Sequence, residues 1–438
     1  MDLNKEAISR IRGFLDILFF VGFPKLGNFA KCCFLFHNDI ELESKVPAFN
    51  RETILNVPNL RFPGFSGEWK VSTLKEECIV NPKTEGLEKE FLYIDLESVA
   101  KGRLVKQNII SRNDAPSRAQ RVLSKWDIIY QCVRPYQLNN YIIRDESTIQ
   151  RVASTGYAQI RTKHNPDFIY QLLHTKGFTD QVINRCTGTN YPAINSTDLS
   201  GIEINFPSIH EQAKIGKLLT LINQRIAIQS KVIEHYESLI RAFILRSQSS
   251  SSTRKVYLRE ILRERKELNE HGYDICSVSV SKGVVNQVEY LGRSFAAKET
   301  AHYHVVHKGD IVYTKSPTGE FPYGIIKQSY LDTPVAVSPL YGVYEPIDYL
   351  TGVYLHYYFC SPQNAKNYLH KLIQKGAKNT INISNQHFLD NLIYIPESDA
   401  LLRIVALIEI LSSKADLERD LLSIYSKQKT SLLSNLFI

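Results

Sequence analysis

The chain is 438 residues long, 43% hydrophobic and 22% charged, with a formal net charge of +8; it can bury a substantial core, and its basic balance suits a polyanionic partner. Its seven cysteines are scattered and odd in number, with no C-x-x-C spacing, which excludes a disulfide framework and a zinc ribbon and points to a reducing, cytoplasmic compartment. The apolar run at 14–36 is interrupted by Asp16, Pro24, Lys25 and Lys31, short of the roughly 20 residues a membrane span needs, and no small-residue cleavage site follows it.

Residues 1–56 form an N-terminal extension with no counterpart elsewhere in the chain and no legible role. The remainder is written twice. Ile194, Ile204, Phe206, Pro207, Ile215, Leu218, Ile222 and Tyr236 stand opposite Ile383, Ile393, Ile395, Pro396, Ile404, Leu407, Leu411 and Tyr425, all at an offset of 189. Earlier matches, at a slightly shorter offset, are Leu74-Lys75-Glu76 with Leu258-Arg259-Glu260, and Lys125-Trp126-Asp127-Ile128-Ile129-Tyr130 with Lys308-Gly309-Asp310-Ile311-Val312-Tyr313. The period is too long for a solenoid, so a whole domain is duplicated. The middles of the copies differ, so two similar frames hold different contents.

Taken in order, 57–206 reads as a first α+β domain, with short β-like segments at 128–130 and 201–206 broken by Asn, Gly and Pro. Ser208 and Glu211 form a capping box that starts a helix over 207–247. Its apolar positions keep a period of seven: Leu219, Ile226, Ile233, Ile240 in one series, and Ile215, Ile222, Gln229, Tyr236 in the other. A serine-rich linker covers 248–254, a second α+β domain 255–395, and a second helix 396–438. That helix repeats the pattern with Ile404, Leu411, Glu418, Tyr425 and with Ile408 and Leu422. Alternating spacings of four and three define a coiled-coil seam. Two amphipathic helices packed separately on their own domains would be the simpler reading. The equivalent polar positions Gln229 and Glu418, each near mid-helix, favour antiparallel pairing, because a polar layer fixes register.

The hard chemistries are missing from the sequence. No two glycines are separated by one residue, and no G-x-x-x-x-G-K-[ST] loop occurs, so the loops that cradle a dinucleotide, a methyl donor or a nucleotide phosphate are lacking. Asn165-Pro166-Asp167-Phe168 has Asp where an adenine-methyltransferase loop carries proline, and reads as a turn before a helix. His302, His304 and His307 lack a companion ligand at a familiar metal spacing. The E-x-K triplets Glu68-Trp69-Lys70 and Glu264-Arg265-Lys266 follow no suitably spaced Pro-Asp and read as solvated charge. Positive charge is concentrated instead: Lys101, Arg103, Lys106, Arg112, Arg118, Arg121, Lys125 and Arg134 are opposed in their stretch only by Asp114 and Asp127.

Several segments in this order resemble the specificity subunit of type I restriction-modification systems. They are Val57 to Trp69, the Lys-Trp/Gly-Asp-Ile-Ile/Val-Tyr strand in both copies, and Ile194 to Gln212. The resemblance covers about 57–438. It implies two target-recognition domains, each reading half of a split DNA site. The helices would set the spacer and dock two methyltransferase subunits, which restriction/translocase subunits join. It also implies a non-catalytic chain without cofactor, with S-adenosylmethionine, ATP and Mg held by partner subunits. Arg pairs edge-on with guanine, and Asn or Gln with adenine. The base-contact candidates are therefore Gln131, Arg134, Gln137, Asn139 and Asn140 in the first copy, and Thr314, Lys315, Ser316 and Thr318 in the second. Lys101, Arg103, Lys106, Arg118 and Arg121 are phosphate candidates. A solvated loop residue is the competing reading for each, and a coiled-coil scaffold with two protein-binding modules is the competing reading for the whole. The duplication also predicts that the fragment 57–247 can pair with a second copy of itself and read one half-site twice, inverted.

Overall fold

The structure, a computed structural model, describes residues 56–83, 86–249, 252–291, 299–375 and 381–438. The N-terminal extension up to residue 55, with its apolar run and Cys32 and Cys33, lies outside the described residues, as do Ser250 and Ser251 of the serine-rich linker. The chain forms two compact units: residues 1–225 with 425–438, and residues 226–424. Among the described residues no helix is long and apolar enough to cross a membrane.

In the first unit Lys70–Thr73 pairs antiparallel with Glu203–Phe206, Lys70 opposite Phe206. Thr73 then opens a one-turn helix, Leu74–Glu77, because Glu76 reaches back to Thr73 N at 3.0 Å and takes the Ser72 hydroxyl at 2.8 Å. Two four-stranded sheets follow. One is ordered Asn108–Ser111, Glu90–Ile94, Arg151–Ser154, Ala119–Leu123, and the other Cys78–Val80, Tyr157–Thr162, Ile128–Gln131, Tyr141–Ile142. Ile128–Gln131 is buried at every position, as expected of a strand covered on both faces. Ile94, Val99, Leu123, Ile129, Ile143, Ala153 and Tyr157 pack into one cluster. Asn165 caps the helix Pro166–Leu172 by accepting from Phe168 N at 3.0 Å, so the Asn-Pro-Asp-Phe segment is a helix start.

The second unit repeats this frame. Thr253–Tyr257 pairs with Leu392–Pro396, and Glu260 caps Leu258–Ile261 through Tyr257 N at 3.0 Å. A four-stranded sheet is ordered Leu262–Glu264, Gly342–Pro346, Ile311–Thr314, Ile325–Gln328. Phe388 stacks on both Tyr313 and Tyr344, each with centroids 4.8 Å apart.

An equivalent buried aspartate in each unit marks the shared frame, but its arginine changes place. Asp127 receives Arg161 through Nε at 2.8 Å and Nη2 at 2.7 Å, with Gln159 Nε2 and Ser124 N each at 2.7 Å. Its equivalent Asp310 receives Arg265 at 2.7 and 3.1 Å. By the repeat offset Arg161 corresponds to Glu345, and Arg265 to Asn81. The second unit therefore moves the arginine to the residue just after the neighbouring strand Leu262–Glu264 and sets Glu345 3.3 Å from it. The residue before each aspartate has left-handed backbone: Gly309 at φ 95° and Trp126 at φ 71°. Glycine adopts this freely, whereas a tryptophan there carries strain.

The long helices run over Ile209–Gln248 and Ser398–Asn435. Ser208 caps the first by accepting from Glu211 N at 3.3 Å. Only half of the expected capping box forms, because the Glu211 carboxylate takes Arg61 through two 2.8 Å bonds. Gly216 lets this helix lie close to the Asn165 cap: a Cβ there would stand 2.8 Å from Asn165 Oδ1 and from Phe168 N. In the first unit Ile215, Leu219 and Ile222 are buried, and Arg225 lies 5.3 Å from the Tyr425 ring. In the second unit Ile240, Ile408 and Leu411 are buried in one cluster, with Tyr236 and Ile404 packed against it. There the buried Gln229 amide donates to the Glu418 carboxylate and, at 3.3 Å, to its backbone carbonyl. Ile233 is buried, whereas Ile226, Leu422 and Tyr425 are half-exposed.

Candidate nucleic-acid interface

In the first unit the buried strand Ile128–Gln131 delivers the chain into a loop at 132–140. Gln131, 2% exposed, organises that loop. Its Nε2 donates to Val133 O at 2.7 Å and Gln137 Oε1 at 2.9 Å, its Oε1 accepts from Asn139 N at 3.2 Å, and its backbone N donates to Asn140 Oδ1 at 2.9 Å. Asn140, 1% exposed, sets its Nδ2 3.4 Å from His174 Nε2. Burial holds the His174 pKa down at about 4. These two amides are thus spent inside the loop, which they hold against a local cost. Arg134 at φ 53° and Leu138 at φ 52° flank the short turn Pro135–Gln137 in left-handed backbone, a conformation that costs a non-glycine residue about 1–3 kcal/mol.

Arg134 stands at the front of this frame. Its N donates to Pro192 O at 2.7 Å, and its guanidinium lies 4.2 Å from the centroid of Tyr191, a ring 64% exposed. Its Nε is buried without a hydrogen-bond partner. Stacking on an aromatic face immobilises the planar fork and leaves its edge for a planar acceptor pair. Gln137 is exposed, and its side-chain oxygen accepts from Gln131 Nε2 at 2.9 Å.

A basic hairpin meets the same loop. Val99–Ala100 pairs with Arg103–Leu104, and Lys101 N at the turn donates to Asn139 Oδ1 at 3.1 Å. The hairpin sits close because residue 102 is glycine, where a Cβ would stand 2.6 Å from Tyr170 Oη. Lys101 is exposed and Arg103 half-exposed. Arg118 is exposed, its carbonyl accepting Thr155 N at 2.8 Å. Arg121, on the strand Ala119–Leu123, is half-buried, and burial lowers its pKa. Lys106 differs: it pairs with Glu97 at 2.5 Å, and the bond raises its pKa.

The second unit has other side chains at the end of the equivalent strand. Thr314 is buried, its hydroxyl accepting Ser316 N at 3.4 Å. Lys315 is half-buried, with its pKa lowered by burial. Ser316 and Thr318 are exposed, and Thr318 pairs with Phe321 through backbone bonds of 3.1 and 2.9 Å.

Residues 67–237 match the family model described as the type I restriction modification DNA specificity domain. The specificity subunit of the type I restriction enzyme HindI from Haemophilus influenzae is 24% identical over 156 residues, 34% of this chain and 34% of that protein. The match thus spans about a third of the curated relative's length. In fold, the S subunit of a type I restriction-modification system from M. genitalium is similar with a TM-score of 0.55 at 15% identity, covering 87% of this chain and 99% of that one.

Within residues 67–237 the structure adds two residues that sequence reasoning missed. Tyr191 lies 57 positions beyond Arg134 and forms the surface on which the guanidinium rests. Its only local signal was the turn Gly188-Thr189-Asn190-Tyr191-Pro192, with Gly188 at φ 89°. Tyr170 ties the loop to the hairpin, its hydroxyl donating to Asn140 O at 3.3 Å. Outside the loops, His304 Nδ1 lies 3.1 Å from Tyr341 O, and His307 Nε2 lies 2.8 Å from Glu267 Oε2.

Proposed function

We propose that this chain is the DNA-reading subunit of a type I restriction-modification complex, with one recognition unit for each half of a bipartite, asymmetric site. The observation that carries this reading is Arg134, stacked on Tyr191 and braced by the Gln131 network, a preorganised fork suited to the O6 and N7 acceptors of guanine. Gln137 and Asn139 flank it, while Lys315, Ser316 and Thr318 occupy the loop on the equivalent strand of the second unit. Two loops with one frame and different side chains suit two different half-sites. Lys101, Arg103, Arg118 and Arg121 supply phosphate contacts that position without specifying, and Lys106 joins them by exchanging Glu97 for a phosphate. Gln131, Asn140 and Thr314 hold the loops in shape. Arg134→Ala is expected to weaken binding of the cognate site by about 1–3 kcal/mol and to relax one base position of the first half-site. Fluorescence titration against a panel of single-base variants checks this; an equal loss on every sequence would assign Arg134 to the backbone. Affinity should fall with salt at a log–log slope near −0.9 per phosphate neutralised, and salt-independent binding would favour the protein scaffold.

The long helices, in this reading, pair antiparallel as a coiled coil that sets the spacer and docks two methyltransferase subunits, with restriction/translocase subunits completing the complex. Support comes from the Gln229–Glu418 layer and the buried seam positions. It comes also from an apolar stripe left outward at heptad spacing on the second helix: Ile410, Leu417 and Ile424 are 55%, 50% and 56% exposed. S-adenosylmethionine, ATP and Mg belong to the partners, consistent with the lack of a glycine-rich cofactor loop here. Four residues inserted into one helix add about 6 Å, and the methylated sequence should then show a changed spacer between unchanged half-sites. Sequencing of modified adenines reads the outcome directly, and an unaltered spacer would refute the ruler.

A further inference from the structure

A second cluster of reactive groups lies in the second unit, apart from the loop Thr314–Thr318. The strand Ile325–Gln328 is buried throughout and carries a lysine at its third position. Lys327 is 6% exposed, and its Nζ donates to Cys360 Sγ at 3.1 Å. Cys360 follows the helix Tyr349–Phe359, its backbone N donating to His356 O at 2.9 Å. One turn earlier, the His356 ring is oriented by Gln328 N, which donates to its Nδ1 at 3.0 Å. Tyr330 and Tyr357 are the other titratable groups near the sulfur. A lysine so buried needs a compensating anion, and the sulfur is the acceptor its ammonium faces. A neutral thiol would leave the charge uncompensated; a thiolate completes the pair. Burial alone would raise the Cys360 pKa, but His356 and Lys327 outweigh it and bring the thiol down to about 6. The remaining described cysteines behave oppositely. Burial pushes Cys78 up to about 11, Cys132 and Cys276 up to about 12, and raises Cys186.

We propose that Cys360 is a nucleophilic thiolate with Lys327 as its counter-ion, and is the site at which this chain is modified by soft electrophiles and hydroperoxides. With a hydroperoxide, the thiolate sulfur attacks the terminal oxygen, an S–O bond forms as the O–O bond breaks, and the departing alkoxide or hydroxide takes a proton from solvent. Sulfur is oxidised by two electrons to the sulfenic acid, and the peroxide is reduced to alcohol or water. The added oxygen enters between the strand that bears Lys327 and the helix that ends at Cys360.

The test is pulse labelling of the folded full-length chain with iodoacetamide from about pH 5 to about pH 9, with each cysteine quantified by peptide mass spectrometry. Cys360 labelling should be half-maximal near pH 6 and, at that pH, at least about tenfold faster than that of Cys186, which is likewise only partly buried. Lys327→Met should move the Cys360 profile at least about one pH unit upward, whereas Lys327→Arg, which keeps the charge, should hold it low. The arginine variant serves on its own if circular dichroism shows that the methionine variant has unfolded. A dimedone probe should trap the sulfenic acid at Cys360 after peroxide treatment. The proposal is overturned if Cys360 labels only with the alkaline rise of Cys186, stays unlabelled until the protein unfolds, keeps its profile in folded Lys327→Met, or loses its low profile in folded Lys327→Arg. Absence of the dimedone adduct would overturn the peroxide reaction.

Discussion

Replacing Phe437 with alanine should destabilise the first unit by about 3–5 kcal/mol, the range for deleting a buried phenyl ring. Phe437 is buried near the end of the chain, stacked on Phe168 with centroids 5.2 Å apart and edge-on to Trp69 at 6.3 Å. Leu436 beside it is fully buried, and Asn435 O accepts Leu60 N at 2.8 Å. The last residues are therefore part of the core formed around Trp69 and Phe168, and the alanine variant leaves a cavity there. Because buried Trp69 touches the lost ring, urea unfolding followed by tryptophan fluorescence should show an early transition; a loss below about 1 kcal/mol would mean that the site collapses or that the ring packs elsewhere. This packing also alters the expectation for the self-pairing fragment 57–247. A second copy would offer Ser247 and Gln248 where the full chain offers Leu436 and Phe437. Ser247 suits its own surroundings, where its hydroxyl lies 3.0 Å from Tyr354 Oη, but it cannot fill an apolar slot. The fragment is expected to pair more weakly than the repeat alone suggests.

Asp127→Ala should cost the same unit about 3–5 kcal/mol, the penalty for breaking a buried, fully hydrogen-bonded charge pair from one side. The fully buried carboxylate gathers Arg161, Gln159 and Ser124 N, and the substitution leaves all three donors without it. Arg161 is partly exposed and can recover water, which sets the result nearer the lower bound. Asp127→Asn keeps one acceptor oxygen and should lose less. Denaturant midpoints of the two variants test the order, and an alanine variant as stable as the parent would show that the carboxylate serves no structural end.

The sequence made the long helices legible because a buried helical face repeats every three or four residues, and Ile215, Leu219 and Ile222 carry that period. The strands leading to the loops were legible for a similar reason: the Asp-Ile-Ile/Val-Tyr run appears twice, and its apolar residues cannot face water. Loop interiors carry no such period. Gln131 and Gln137 look alike in sequence, yet one is buried as the hub of the loop and the other is exposed, since the difference is set by the left-handed turns at Arg134 and Leu138. Partners distant along the chain were equally hidden. Nothing near Arg134 announces Tyr191, and nothing near Asp310 reveals that its arginine comes from the position that Asn81 holds in the first copy.

The division of the chain into 1–225 with 425–438 and 226–424 has a consequence for biosynthesis. A ribosome delivers the sequence from its N-terminus, and domains close as their residues emerge. All of the second unit is available before the first has received Leu436 and Phe437. The unit begun first is the one finished last, and until residues 436 and 437 emerge the nascent chain presents Trp69 and Phe168 without these covering residues. Loss of residues 436 and 437 would therefore damage the first unit while sparing the residues that build the later one.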